Sequence, residues 1–267
     1  MTLGSLFDGI GGFPLAASRY GITPVWASEI EAFPIEVTKH HFPDMVHFGD
    51  ITKLDGAKLP PVDIICGGSP CQDLSVAGAR AGLAGERSGL FMEQIRIVKE
   101  MRNEDIRNGR TAQFVRPRFM VWENVPGAFS SGNPKGEDFR IVIEEIIRIS
   151  FDSVSVTRFD TGSWKPAGRI ILGTSFSLAW RVFDTQYWPR TPQRRRRIFL
   201  VADFAGRSAP KILFIPESLP GYPETCKGEG QGTSAPTEIC IDDTGGYHAA
   251  NTIIIEGIKG LSYQSEG

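Results

Sequence analysis

Long hydrophobic runs are missing from this 267-residue chain. No stretch approaches the roughly 20 apolar residues that a membrane span needs, so no membrane partner is expected. The short apolar start, Met1-Thr2-Leu3-Gly4-Ser5-Leu6-Phe7, has no basic residues ahead of it, and no signal peptide is expected. Cysteine is scarce: four residues, at positions 66, 71, 226 and 240, with no C-x-x-C pair. That argues against a zinc site and against a disulfide scaffold, so no metal is expected and the cytoplasm is the default location. An excess of either charge is also lacking, with 29 basic and 31 acidic residues. Net charge therefore does not announce a nucleic-acid partner.

The distribution of charge says more. Residues 206–267 hold four basic and eight acidic groups, leaving 25 basic and 23 acidic in residues 1–205. The first part is mildly basic and contains one dense run, Arg194-Arg195-Arg196-Arg197. A local basic patch binds phosphate even when the total is near neutral. A charge run standing alone is more often a solvated face.

Apolar stretches of strand length alternate with stretches of helical spacing through residues 2–204. Strands are expected at Thr2–Leu6, Pro24–Ser28, Met45–Phe48, Ile64–Cys66, Arg118–Trp122 and Ile198–Ala202, and one more at Ile253–Ile255. Helices are expected over Pro14–Tyr20, Phe33–His41, Arg87–Arg102 and Phe139–Ile149. This order predicts an α/β fold with a doubly wound, mostly parallel sheet. After Phe204 the chain turns rich in Gly, Pro, Ser and Thr, which places a domain boundary near 205.

Four groups of residues carry chemistry. The loop Phe7-Asp8-Gly9-Ile10-Gly11-Gly12 follows the first strand, where glycines let a backbone approach a nucleotide-type ligand. Its spacing departs from G-x-G-x-x-G and speaks against a dinucleotide enzyme. Glu29 and Asp50 end the next two strands, and an acid there suits the hydroxyls of a ribose; a solvated surface carboxylate is the plain alternative. Val62-Asp63-Ile64-Ile65-Cys66-Gly67-Gly68-Ser69-Pro70-Cys71 is a strand that ends in a tight turn. Cys66 reads as a buried structural thiol. Cys71 reads as a nucleophile presented on a loop, with Glu123 after a neighbouring strand as an acid that needs a raised pKa. Last, in the extended segment Gln193–Arg197, Gln193, Arg195 and Arg197 share one side while Arg194 and Arg196 take the other.

In this order the motifs resemble the cytosine-C5 DNA methyltransferases of prokaryotic or phage type. Ser5-Leu6-Phe7-Asp8-Gly9-Ile10-Gly11-Gly12-Phe13 is similar to that family's cofactor loop, and Gly68-Ser69-Pro70-Cys71-Gln72-Asp73-Leu74-Ser75 to its catalytic loop. Gly89-Leu90-Phe91, Glu123-Asn124-Val125 and Gln193-Arg194-Arg195-Arg196-Arg197-Ile198 match three further motifs. The resemblance implies a Rossmann-like domain over residues 1–205 that binds S-adenosyl-L-methionine through Phe7, Asp8, Gly9, Ile10, Gly11, Gly12, Glu29, Ile30, Asp50, Ile51, Pro70 and Leu90. It implies double-stranded DNA as partner and methyl transfer to C5 of a flipped-out cytosine through a covalent Cys71 adduct, as in restriction-modification or phage DNA protection. Glu123 is then the acid at ring nitrogen 3, Arg195 holds the base oxygen and orients Glu123, and Gln193 and Arg197 line the pocket. The glycines between Ser75 and Gly89 suit a loop that closes over the base.

No late Arg-x-x-Thr-x-x-Glu segment and no final Gly-Asn motif are found, and Trp188-Pro189-Arg190-Thr191-Pro192 stands where the family more often has Gly-Val-Pro. Residues 206–267 therefore read as the start of a variable target-recognition region, truncated relative to the family. The competing readings are a non-catalytic or split-enzyme fragment that binds cofactor or a complementing C-terminal chain, and an RNA cytosine-C5 methyltransferase. A cognate restriction enzyme is a further expected partner.

Overall fold

The structure, a computed structural model, describes residues 1–70, 89–158, 164–187 and 193–214, with the backbone of 253–256 and 261–264. Five parallel strands form one half of the sheet: β1 (Thr2–Leu6), β2 (Thr23–Ser28), β3 (Val46–His47), β4 (Ile64–Gly67) and β5 (Phe119–Asn124). Their spatial order is β3-β2-β1-β4-β5. The chain winds outward from β1 to β3, then crosses back to lay β4 on the other side of β1. The topological switch therefore falls between β1 and β4, and ligands of open α/β sheets bind at the carboxyl ends of the strands there.

The sheet continues past β5 in antiparallel fashion. The strand β9 (Arg196–Asp203) pairs with β5, β8 (Phe176–Asp184) with β9, β7 (Ala167–Leu172) with β8, and β10 (Ile253–Glu256) with β7. A separate ladder joins β6 (Ser155–Arg158) to β11 (Leu261–Gln264). The parallel half is the one the alternation of strands and helices predicts. The antiparallel half contains the two late strands expected, near 198 and at 253–255, and two that were not expected, β7 and β8.

Helices cover both faces, as double winding requires. On one face α3 (Leu90–Arg107) and α4 (Glu137–Ile147) bury Phe91, Ile95, Val98, Phe139, Val142 and Ile143 against Ile65, Met120, Trp122 and Trp180. Phe139 lies at the centre of this core, with its ring edge-on to Phe129 at 4.7 Å, Trp164 at 4.9 Å and Trp180 at 5.7 Å. Such T-shaped pairs each contribute about 0.5–1.5 kcal/mol beyond burial. On the other face α1 (Gly12–Ser18) packs Ala17 on Leu3 and Cys66, and α5 (Ala209–Leu213) packs on Ala179 and Val201. The helix α2 (Ala32–His41) connects β2 to β3.

Two boundaries differ from the expectation in ways that matter for chemistry. β5 runs on through Glu123 and Asn124, paired with Phe199 and Ile198, so Glu123 belongs to the strand and does not follow it. β9 begins at Arg196, so Arg196 and Arg197 are strand residues while Gln193, Arg194 and Arg195 precede it. Cross-strand pairing in β5 and β9 therefore sets the Glu123 and Arg197 backbones, a more rigid placement than a loop gives.

Candidate active site

The end of β1 turns sharply under an unusual backbone. Phe7 and Gly9 both have positive φ, 53° and 55°, with Asp8 between them. Gly11 follows at φ 83°, and a Cβ there would meet the Thr38 Cγ2 of α2 at 2.8 Å. Glycine at 11 is thus required twice, by conformation and by space. The loop is tied to its neighbours: Asp8 N–H donates to the Ser28 carbonyl at 3.2 Å, and Gly11 N–H to the Asp8 carbonyl at 3.1 Å.

Glu29, just past β2, reaches across to this loop. Its Oε2 accepts from the Gly9 N–H at 2.8 Å, and its Oε1 accepts from the N–H groups of Ile30 at 2.8 Å and Glu31 at 3.1 Å. Three backbone donors hold one carboxylate rigidly at the end of the strand. Ile10 and Ile30 stand out into solvent beside it, 64% and 69% exposed. An anchored acid between exposed apolar side chains at the carboxyl ends of β1 and β2 could hold an adenosine, the acid toward its ribose and the apolar side chains toward its base.

Asp50 lies along the same edge but is occupied locally. Its Oδ1 accepts from the Thr52 N–H at 3.0 Å and the Thr52 hydroxyl at 2.8 Å, capping a turn of 3₁₀ helix over Ile51–Lys53. Those bonds from Thr52, with Lys53 nearby, hold its carboxyl below the usual carboxylate range. Ile51, next to Asp50, is buried with its side chain in the main core. Leu90 opens α3 and packs partly against the same core.

The turn after β4 is fastened to the end of β5. Asn124 donates through Nδ2 to the Ser69 carbonyl at 3.1 Å, and Trp122 Nε1 donates to the Ser69 hydroxyl at 3.2 Å. Below them Gln94 of α3 is fully buried and lies against Gly67. Cys66 is buried too, with burial pushing its thiol up, and it remains the structural cysteine expected. These anchors fix the chain up to Pro70. Cys71 itself lies outside the described residues, as do residues 72–88, 188–192 and 215–252.

Glu123 faces this turn. One carboxylate oxygen, Oε1, pairs with the Arg197 Nε at 2.9 Å. The other, Oε2, lies where a Cβ on Gly68 would meet it at 2.8 Å. Gly68, Glu123 and Arg197 therefore converge at the ends of β4, β5 and the start of β9. The sequence assigned the orienting contact to Arg195; in the structure Arg197 makes it. Arg195 donates its backbone N–H to Asp184 at 3.1 Å and its side chain is exposed. Gln193 is exposed and its carbonyl accepts from the Thr185 hydroxyl at 2.6 Å. Arg194 reaches Asp184 at 3.7 Å. The alternation expected over 193–197 begins only where β9 does.

Sequence reasoning placed Ser5 and Ser69 within motifs but gave them no role, and it passed over Gln94; all three hold the site from behind. Ser5 had a signal: it is a hydroxyl in the middle of an apolar strand, and it bonds the Asp8 carboxylate at 2.6 Å.

A model of the C-5 cytosine-specific DNA methylases matches residues 1–209, a span that contains both strand-end clusters. The chain belongs to that family. A protein of Escherichia phage P1 named DNA N-6-adenine-methyltransferase is 34% identical over 221 residues, covering 76% of this chain and 28% of the relative. The orphan methyltransferase M.Rho11sI of Bacillus phage rho11s is 35% identical over 151 residues, 55% of this chain and 27% of the relative. Among solved structures, the S. pombe Dnmt2 methyltransferase aligns with a TM-score of 0.49 at 17% identity, over 78% of this chain and 52% of its own. The chain spans less than a third of the length of these two phage relatives. Among the described residues of this family member, no group of three or more His, Cys, Asp or Glu is placed to hold a metal ion, and no helix is long and apolar enough to cross a membrane.

Proposed function

We propose that the chain is a DNA (cytosine-5-)-methyltransferase that uses S-adenosyl-L-methionine and works through a covalent adduct of Cys71. One observation carries the reading: Glu123 presents one oxygen to Arg197 and the other to Gly68, three residues before Cys71 in the sequence. An acid held beside the segment that leads into Cys71 matches what cytosine needs, because its carbon 5 is a poor nucleophile until carbon 6 has been attacked.

Residues Phe7–Gly12, Glu29 and Ile30 would hold the cofactor, with Asp50, Ile51, Pro70 and Leu90 along the same edge. When bound, S-adenosyl-L-methionine supplies an electrophilic methyl group. The chain's own residues prepare the acceptor. Cys71 thiolate adds to carbon 6 of a flipped-out cytosine, and the electron pair of the 5,6 double bond becomes available at carbon 5. Glu123 donates a hydrogen bond or proton at ring nitrogen 3 and offsets the charge that builds there. Arg197 fixes the Glu123 carboxyl in the orientation that presents Oε2. Arg195 and Gln193, exposed beside it, are available to the base oxygen and the nucleic-acid backbone. After transfer a base removes the proton from carbon 5 and the Cys71–carbon 6 bond breaks, which regenerates the thiolate.

Double-stranded DNA is the proposed substrate, and residues 1–205 the catalytic domain, with 206–267 opening a target-recognition region. The test incubates the full chain with labelled S-adenosyl-L-methionine and unmethylated duplex DNA, then separates the nucleosides. Label in 5-methylcytosine that disappears in Cys71→Ala is expected. Label in N6-methyladenine, the product named for the phage P1 relative, or label that survives Cys71→Ala, would overturn the proposal.

A further inference from the structure

Asp8 lies in the loop proposed to hold the cofactor, but its carboxyl group takes no part in the steps above, and its setting is unusual. The residue is 6% exposed at the carboxyl end of β1. Its Oδ1 accepts from the Ser5 hydroxyl at 2.6 Å, while Oδ2 is buried with no hydrogen-bond partner. A buried, half-satisfied carboxylate costs far more than a solvated one unless a positive charge stands near it.

The titratable groups that face Asp8 make this worse. Glu29, from the end of β2, contributes a second negative charge. Cys66, from β4, stays a neutral thiol because burial pushes it up. From the α1 side there is the backbone of Gly11, whose N–H is taken by the Asp8 carbonyl. Among the described residues the side-chain partners of the two acids are the Ser5 hydroxyl and the N–H groups of Gly9, Ile30 and Glu31, with no Lys or Arg. Among the described residues, two carboxylates therefore share one glycine loop without a cation.

Resting on the assignment of this loop to the methyl donor, we propose that Asp8 is a proton-linked counter-charge for a cationic nucleoside: it is ionised when the donor is bound and takes up a proton in mildly acidic solution when the loop is empty. No direct contact is required, since a positive charge a few ångströms from a poorly hydrated carboxylate interacts strongly with it. Burial, with Glu29 adding to it against the Ser5 hydrogen bond, pushes the Asp8 carboxyl up to about 6. The empty loop therefore takes up a proton as pH falls through about 6, a range where an ordinary aspartate is still charged. A cation in the loop favours the ionised form and expels that proton. By linkage, affinity for the cation must fall as pH drops below the free-state value, and affinity for a neutral nucleoside need not.

The experiment measures dissociation constants of the full chain for S-adenosyl-L-methionine and for neutral 5′-methylthioadenosine at about pH 8 and about pH 5.3, and proton release by calorimetry in two buffers of different ionisation enthalpy. Affinity for the donor should weaken about fivefold at the lower pH and its binding should release part of a proton, while 5′-methylthioadenosine shows neither effect. Asp8→Asn, checked for folding by its melting curve, should bind the donor with no such pH dependence. Equal pH dependence for both nucleosides, a flat response to the donor, or a response that persists in Asp8→Asn would overturn the linkage. If neither nucleoside binds at any pH, the assignment of the loop to the donor fails with it. The calorimetric arm needs no variant, so it decides the matter even if Asp8→Asn does not fold.

Discussion

Glu123 meets two groups of different kinds, a guanidinium on Oε1 and a glycine beside Oε2. The glycine gives a clean test of position. Gly68 does not have positive φ, so alanine is compatible with its backbone. What alanine cannot avoid is the Glu123 oxygen, at 2.8 Å from the added Cβ. Gly68→Ala should therefore move the carboxyl by a fraction of an ångström to an ångström and leave the fold intact. Misplacement on that scale costs about 10²-fold in rate. Steady-state methylation beside a melting curve checks this: a variant that melts normally and turns over within about twofold of the parent would show that the Glu123 position is not critical.

Among elements, β9 does the most to shape the site. It carries Arg197 at one end and Asp203 at the other. Asp203 is fully buried, and burial alone would raise its carboxyl. Bonds from Arg118 at 3.0 Å and 3.2 Å, from the Ser208 hydroxyl, and from the N–H groups of Ala205 and Ser208 outweigh this and hold it below the usual range. The same bonds latch the start of α5 to the sheet. Asp203→Ala would strand the Ser208 and Ala205 donors and unpair Arg118, which should destabilise the fold by about 3 kcal/mol. Urea unfolding measures it, and a loss below about 1 kcal/mol would mean that α5 is held by its apolar contacts alone.

This strand also marks where sequence reading stops. Its apolar middle, Ile198 to Ala202, was legible from composition. That it begins at Arg196 was not, because nothing in a run of four arginines distinguishes loop from strand until pairing with Phe183 and Asp184 is known. The same holds for Glu123, whose pairing with Phe199 extends β5 past the point where apolar residues end. The partners β7 and β8 gave little signal: Leu178, Ala179 and Trp180 are buried in succession, so β8 lacks the alternation of a half-exposed strand.

At the scale of the molecule, the parallel half was readable because the motifs that follow β1, β2 and β4 sit at strand ends. Glycines after β1, an acid after β2 and the segment Gly68–Pro70 after β4 mark the carboxyl edge, and the doubly wound order brings those ends side by side. The exchange of Arg195 for Arg197 beside Glu123 was beyond reach, since it depends on which residue first enters the ladder. So was the burial of Ile51, which follows from the 3₁₀ turn that Asp50 caps. The chain matches its family over residues 1–209, so the catalytic proposal draws on most of its length.

In the proposed reaction Cys71 forms a bond to carbon 6 of cytosine. Duplex DNA containing 5-fluorocytosine tests it directly, because fluorine at carbon 5 blocks the elimination that would release the enzyme. Incubated with the full chain and S-adenosyl-L-methionine, such DNA should give a protein–DNA complex that survives denaturing electrophoresis, and Cys71→Ala should give none. A complex formed equally by Cys71→Ala, or a folded, DNA-methylating chain that never forms one, would contradict the account.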